Sequence, residues 1–556
     1  MKSMLHYFAV PKGDSDVWIV FDGTSCGMND ALWSPNFFLP TSRNASELLS
    51  FESWMADADF SEFFQNFFAD PKVTCYSGVD ATCLSPFLDS TSGRKGSSKH
   101  SGLRWNRLFM GMKPSPYNAV RSYYWAEEFA KGDLHDTANP FGFDSFSFNL
   151  PGMDGYDTLK PKILKWNSKL QMNAGDVITY VDDVRIVGSS KEHCRAVHRQ
   201  FMSRCQYLGI QDAPRKYRPP SQDQAGAWTG TIFRINRNVI TKSVSLEKWN
   251  KGKDIIASLS NLIKDHPFER PVLNRKELER HTGFLNHLTM TFDDMTPFLK
   301  GFYLTLNSWR PKRDSHDWKM TDKTWMKCLV AQLEKGTITE SDFQNMVNGQ
   351  VQADCPTTVT ASVRFSSDVR ALSSLFASAD PPNVNLRSSD VVSVIYGFGD
   401  ASGTGLGATS TCGSGFTYRV GVWGSDGSDQ SSNWREFTNI VESLEEEAKV
   451  GNLAKAEVFM FTDNSTVESC ATKGSSTSPK LLDLIIRLRS LTTAHGIRIH
   501  IFHVAGTRMI AQGTDGVSRG FLGEGVMAGS PMVSFIPIHL SAIDRSPGIV
   551  DRKRHV

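Results

Sequence analysis

Two sets of acidic side chains have types and spacing that could serve metal-dependent chemistry on phosphates. In "VITYVDDVRIVG", Val177 to Gly188, Asp182 and Asp183 stand side by side between two β-branched apolar runs. Their repulsion raises the cost of ionising both. A hairpin turn accounts for the pair, since Asp tolerates turn geometry and the flanks read as strands. A divalent cation accounts for it too, by turning repulsion into coordination. Two-metal phosphoryl transfer wants a further carboxylate on a neighbouring strand, because anionic ligands bridge cations that clamp the attacking and leaving oxygens. Upstream, "SWMADADFSEFFQNFF" offers Asp57 and Asp59 ahead of an aromatic-rich helical pattern. On that segment alone, a helix N-cap is the plainer reading.

A second set lies near the other end. "VVSVIYGFGDASGTGLGATS" reads as a strand ending at Asp400 and then a Gly-rich turn, and "GFTYRVGVW" continues as another strand. "NWREFTNIVESLEEEA" has Phe437, Ile440, Val441 and Leu444 at helical spacing, leaving Glu436 in the first turn, with Glu442 and Glu445 as fallbacks. "AEVFMFTDNSTVES" is an apolar strand with Asp463 at its C-terminal end. "LLDLIIRLRSL" reads as an amphipathic helix, "IRIHIFHVAGT" as a strand whose His503 is a core residue, and "GTDGVSRG" supplies Asp515. Singly, each acid suits a cap or turn. In this order, they can hold two divalent metals that activate water against a phosphodiester.

The elements that must position these groups span 556 residues, too many for one core, so two to four domains are expected. Mean hydropathy is −0.31 and net charge +2, so any basic surface for a polyanion must be local. No run is apolar enough to span a membrane, and the apolar part of "MKSMLHYFAV" is too short for a signal peptide. Nine scattered cysteines without a CxxC pair suggest reduced thiols and an intracellular location, cytoplasm or nucleus. Cys194, His198 and Cys205 share a helical pattern whose spacing fits no common zinc module. The Gly/Ser-rich loop carrying Arg94, Lys95, Lys99, His100 and Arg104 suits phosphate contact or plain solvation. Boundaries follow composition: mixed strands and helices to 240, helices over 241–335, a Ser/Thr/Pro-rich linker over 336–389, a second α/β unit over 390–525 and a tail over 526–556.

The succession over roughly residues 5–235 resembles the fingers and palm of reverse transcriptases. "VWIVFDGTSCGMNDALWSPNFFLP" is similar to the fingers segment, "DADFSEFF" to the first palm motif, "FMGMKPSPYNA" to the second and "YVDD" to the third. "LG…K" and "WTGTIF" are similar to the fourth motif and the primer-holding turn. The resemblance implies Asp59 and Asp182 as catalytic, metal-binding carboxylates with Asp183 supporting them. Asp59 is preferred over Asp57 because Phe64 then takes the aromatic position under the nucleotide sugar, which excludes a 2′-hydroxyl and implies DNA synthesis. Lys12 matches a triphosphate-binding lysine, and Gly111, Lys113, Ser115 and Pro116 fall in the substrate-binding second motif. Two positions depart: Trp18 stands where an arginine is expected, and Met110 where a glutamine is frequent.

Residues 390–525 resemble ribonuclease H, through "DASGTGLGA", "TDNST" and "HVAGT…GTDGVSR". That resemblance implies Asp400, Glu436, Asp463 and Asp515 as metal ligands. "ELERHTGFLNHLTMTFDDMTPFLKGFY" resembles the same region of retroelement polyproteins, especially those of the DIRS-like group. The expected fold is therefore a multidomain α+β and α/β chain: a right-hand polymerase of fingers, palm and thumb, a helical connection, and a ribonuclease H-like domain. The expected function is a retrotransposon RNA-directed DNA polymerase with ribonuclease H activity. It would use two Mg2+ per site, with Mn2+ as a substitute. Its partners would be an RNA template, a DNA primer, RNA-DNA hybrid and deoxynucleoside triphosphates, with no membrane. The alternatives are a decayed nucleic-acid-binding remnant, or a chain in which ribonuclease H alone is active.

Overall fold

The computed structural model describes residues 3–12, 16–82, 102–150, 153, 155–266, 269–348, 355–391, 393–412, 415–521, 525 and 543–544. Lys12 and Trp18 are described in backbone only; most of the basic loop and of the tail lie outside the described residues. The chain divides into two compact units: Met1–Asn149 with Leu159–Thr241, and Leu150–Thr158 with Lys242–Val556. Both mix helices and strands, a multidomain α/β architecture.

In the first unit, β1 (His6–Lys12) and β2 (Asp16–Asp22) form an antiparallel ribbon. Four further strands make a sheet: β3 (Trp54–Asp59), β4 (Asp176–Tyr180), β5 (Asp183–Gly188) and β6 (Arg218–Ser221), in the order β6-β3-β5-β4. Helices α1 (Ser115–Lys131) and α2 (Lys191–Tyr207) cover it. Ala119, Val120, Tyr123, Val197 and Phe201 share one buried cluster with Ala56, Ala58, Val184 and Ile186. The helix α2 starts abruptly because Ser190 accepts from the His193 N–H and Gly188 lets the chain close in. A Cβ on Gly188 would meet the Cys194 backbone nitrogen at 2.5 Å.

The segment around Asp57 corrects the capping reading. Residues 54–59 are a sheet strand, and only a short 3-10 turn, Phe63–Asn66, follows. Asp57 caps nothing; its carboxylate is buried against Arg185 on β5.

After Lys242 the second unit runs through α3 (Leu246–Asp265) and α4 (Arg275–Thr289), capped by Ser245 and Asn274, and α5 (Asp322–Glu334). The stretch expected to be a linker contains α6 (Phe365–Leu375), whose Phe365, Val369 and Leu372 are buried with Leu285, Leu288 and Phe302. Its Ser residues stand among apolar positions at helical spacing, so a helix face forms despite the polar composition.

A sheet follows, built from β9 (Ser393–Ala401), β10 (Gly405–Cys412), β11 (Gly415–Val422), β12 (Ala456–Thr462), β13 (Arg498–Val504) and β14 (Ile543–Asp544). The order is β11-β10-β9-β12-β13-β14, parallel only where β12 meets β9 and β13. Every residue of the central β12 is buried, as its unbroken apolar run implies. Helices α7 (Ser432–Lys449) and α9 (Pro479–His495) supply Phe437, Ile440, Val441, Leu482 and Ile485 to a core with Ile395, Val458 and Met460. Between them lies α8 (Ser465–Lys473), and α10 (Gly506–Gln512) and α11 (Thr514–Ser518) follow β13. No described helix is long and apolar enough to cross a membrane.

Candidate active sites

In the first unit, antiparallel pairing sets Asp183 directly opposite Asp59. Asp182 occupies the turn joining Tyr180 to Asp183, where Val181 adopts φ +58°, and its carbonyl accepts from the Phe60 N–H at 3.0 Å. The sheet thus gathers the three expected carboxylates at one end. Lys216 Nζ lies 2.7 Å from Asp59 Oδ1. Asp183 Oδ2 accepts from the Thr229 N–H at 2.9 Å, while the Trp228 indole donates to the Asp183 carbonyl. Burial pushes the Asp183 carboxyl up to about 6, and the charges of Asp57 and Asp182 add to that. Thr229 (φ +47°) and Gly230 (φ +86°) form the turn between β7 (Ala227–Trp228) and β8 (Thr231–Asn236). Left-handed conformation at both central positions is what a tight two-residue hairpin requires.

Asp57 has both oxygens occupied. Arg185 Nε donates to Oδ1 at 2.5 Å and the Gly226 N–H to Oδ2 at 2.6 Å, while Arg185 Nη2 donates to the Gly226 carbonyl. That leaves Asp59 as the carboxylate of this strand able to take a ligand.

The second motif is held by a residue that sequence reasoning missed. Asn29 donates to the Gly111 carbonyl at 2.9 Å and accepts from the Lys113 N–H at 2.8 Å. Gly111 sits at φ +105°, and a Cβ there would fall 1.7 Å from the Phe21 carbonyl oxygen, so glycine is obligatory. Ser115 is buried and its hydroxyl accepts from the Phe109 N–H; Pro116 lies in the first turn of α1, where its missing N–H is no loss. The Lys113 side chain is exposed, and Phe64 is half-buried with its ring 5.7 Å from that of Phe63.

In the second unit, Asp400 at the end of β9, Glu436 on α7 and Asp463 just past β12 each bring an oxygen within 4.8 Å of the others. Among the described residues this is the only such group of three; the carboxylates of the first unit do not converge so closely. Asp400 and Glu436 are each 6 % exposed. Burial, then the charges of Asp400 and Asp463, push the Glu436 carboxyl up to about 9. Burial likewise raises Asp400 to about 6, with Asp463 and Asp515 adding their charges. Glu436 Oε2 is buried without a hydrogen-bond partner. Three mutually repelling carboxylates, one with an orphaned buried oxygen, are a donor set that fits a hard divalent cation.

Asp515 stands outside the trio, on α11, paired with Arg519 at 2.8 Å. It is near enough for its charge to raise both Asp400 and Asp463. His503 donates through Nε2 to the Asp463 carbonyl at 2.9 Å, which fixes the backbone of that residue. The fallback acids belong elsewhere: Glu442 pairs with Arg419 and Glu445 with Arg487. Cys194 and Cys205 are buried core residues whose thiols burial pushes up to about 12, and the His198 ring packs on Tyr217.

No family model matches the chain, and no curated protein matches it. Among solved structures, the chain is similar to a foamy viral protease-reverse transcriptase in complex with RNA/DNA hybrid, at 12 % identity and TM-score 0.38, covering 90 % of this chain and 50 % of that one. For the foamy viral protease-reverse transcriptase dRH with double-stranded DNA the values are 12 % and 0.37, over 89 % and 65 %. The present chain thus spans between half and two thirds of those two proteins. Ribonuclease H1 from Halobacterium salinarum NRC-1 matches 22 % of the chain and 92 % of its own length, at 20 % identity and TM-score 0.19. Scores this low carry no argument for an activity, which must come from the carboxylates themselves.

Proposed function

We propose that the chain is an RNA-directed DNA polymerase joined to a ribonuclease H, with one two-metal phosphoryl-transfer site in each unit. The convergence of Asp400, Glu436 and Asp463 around an orphaned buried oxygen carries this reading. The registered pair Asp59 and Asp183, with Asp182 on the adjoining turn, supports the polymerase half.

In the first unit Asp59 and Asp182 would hold the cations, with Asp183 in support. In the second, Asp400, Glu436 and Asp463 would hold them, with Asp515 beside the trio. Magnesium, or manganese in its place, would supply charge neutralisation at the scissile or transferring phosphate. The protein positions the reactants. Asn29 and Gly111 shape a loop that would face the nucleotide, the 228–230 turn fixes Asp183, and Phe64 would exclude a ribose 2′-hydroxyl. The primer 3′-hydroxyl attacks the α-phosphate of a deoxynucleotide and pyrophosphate leaves, with most of the rate coming from alignment and electrostatics. RNA template, DNA primer and their hybrid are the proposed partners, gripped through backbone and shape. A retrotransposon of the DIRS-like group rests on the resemblance over "ELERHTGFLNHLTMTFDDMTPFLKGFY".

A second reading has the ribonuclease alone active. It is favoured by the ion pair of Lys216 with Asp59 and by the looser carboxylates of the first unit. Primer extension on an RNA template with deoxynucleotides and magnesium separates the two. Extension that disappears in Asp182→Asn supports the polymerase; no extension, with hybrid cleavage intact, supports the nuclease alone.

A further inference from the structure

Four features of the second unit converge on one serine. The Ser518 hydroxyl lies 2.6 Å from Asp400 Oδ2 and 2.8 Å from the carbonyl of Asp515. Ser518 is 1 % exposed, so neither contact competes with solvent. Its backbone seat is built by others: Ser402 donates to the Ser518 carbonyl at 3.0 Å. Gly405 and Gly407 face the same residue, and a Cβ on either would come within 2.5 Å of Ser518 backbone atoms. The Gly-rich stretch after Asp400 is therefore a docking surface for the short helix α11. That helix brings Ser518 to Asp400 and, one residue on, Arg519 to Asp515.

We infer that Ser518 is a positioning residue for Asp400, an inference that rests on the ribonuclease reading of the trio. The hydroxyl has one hydrogen, and an ionised carboxylate is a better acceptor than a peptide carbonyl, so the bond goes to Oδ2. Holding Oδ2 fixes the plane of the carboxylate and leaves Oδ1 as the oxygen to turn toward a cation shared with Glu436 and Asp463. Without the hydroxyl, the Asp400 carboxylate loses its side-chain donor and keeps only the Ala401 N–H, so more of its ordering falls to the ion. Hydrogen bonds to ligating carboxylates commonly change metal affinity or activity by about 10- to 100-fold. The Gly405 and Gly407 contacts give the inference a second arm: a side chain at 407 displaces the helix that carries the serine, without touching a carboxylate.

The test is a calorimetric Mn2+ titration of the full chain. All proteins carry Asp182→Asn, which weakens binding in the first unit, and an added Asp463→Asn identifies the heat that belongs to the trio. Ser518→Ala should weaken that binding by about tenfold or more while its metal-free melting temperature stays close to the parent's. Ser518→Thr, which keeps the hydroxyl, should recover most of the affinity, whereas Ser518→Cys, which fills the same space with only a weak donor, should not; a merely space-filling role would be met by Cys. Gly407→Ala should weaken binding in the same direction as Ser518→Ala. Affinity in Ser518→Ala within twofold of the parent overturns the positioning role. A parent that binds no Mn2+ sensitive to Asp463→Asn overturns the metal reading of the trio itself, and the positioning role with it.

Discussion

Arg185 lies opposite Asp57 in the same antiparallel register that sets Asp183 opposite Asp59, and the two form a buried ion pair beneath the carboxylates. The side chains are 1 % and 9 % exposed, so neither charge can turn to water if its partner is lost. The pair also ties the strands to the 226 backbone through bonds to Gly226, two residues from the turn that holds Asp183. A structural charge pair therefore stands next to the candidate carboxylates.

Arg185→Met should destabilise the first unit by about 3–5 kcal/mol, the usual cost of leaving a buried charge uncompensated. Adding Asp57→Leu should recover much of that loss, since an apolar pair of similar volume removes the stranded charge. Urea unfolding followed by circular dichroism checks both. Equal destabilisation by the single and double variants would contradict the ion-pair explanation.

Glu436 should make the metal-free protein pH-sensitive. Its folded carboxyl is raised to about 9 from the usual 4.5, so the fold favours the protonated form. The resulting stabilisation is fully present below about pH 4.5 and is lost as pH rises toward 9. Asp400, raised to about 6, adds a loss with the same sign over the lower part of that window. Melting temperatures in chelator should therefore fall from pH 5 to pH 9. Glu436→Gln should flatten that fall, and added magnesium should reduce it in the parent. A parent slope unchanged by Glu436→Gln would show that the burial of this carboxyl is not what sets it.

Gly111→Ala should reduce primer extension far more than hybrid cleavage. Any Cβ there strikes the Phe21 carbonyl, and the left-handed backbone adds strain of about 1–3 kcal/mol. Asn29→Ala acts on the same loop by removing its bonds to residues 111 and 113, and should raise the KM for deoxynucleotides. Parallel primer-extension and hybrid-cleavage assays on each variant check the separation. An equal loss of both activities would mean the loop matters for folding rather than for the nucleotide.

Local pattern made the carboxylate-bearing elements legible. "VITYVDDVRIVG" reads as strand, turn and strand because two runs rich in β-branched residues flank the acids, and the structure has that hairpin. Glu436 was legible because Phe437, Ile440, Val441 and Leu444 fix the phase of the helix, and all four are buried. What escaped were relationships set by distant partners. Asp57 reads as a cap until Arg185, 128 residues away, is seen to claim it. The helix at 365–375 was hidden because its flanks are rich in Ser, Thr and Pro, and its core partners lie in the helices before it. Asn29 and Ser518 carry no signal of their own; each matters only because folding brings it to a loop or a carboxylate.

The most direct measurement is cleavage of an RNA-DNA hybrid by the full chain in magnesium, with Asp463→Asn and Asp182→Asn beside it. Cleavage abolished by Asp463→Asn and retained by Asp182→Asn is the expected result, since the two residues belong to separate carboxylate sets. Cleavage that survives Asp463→Asn would contradict the assignment of Asp400, Glu436 and Asp463 as the ribonuclease centre.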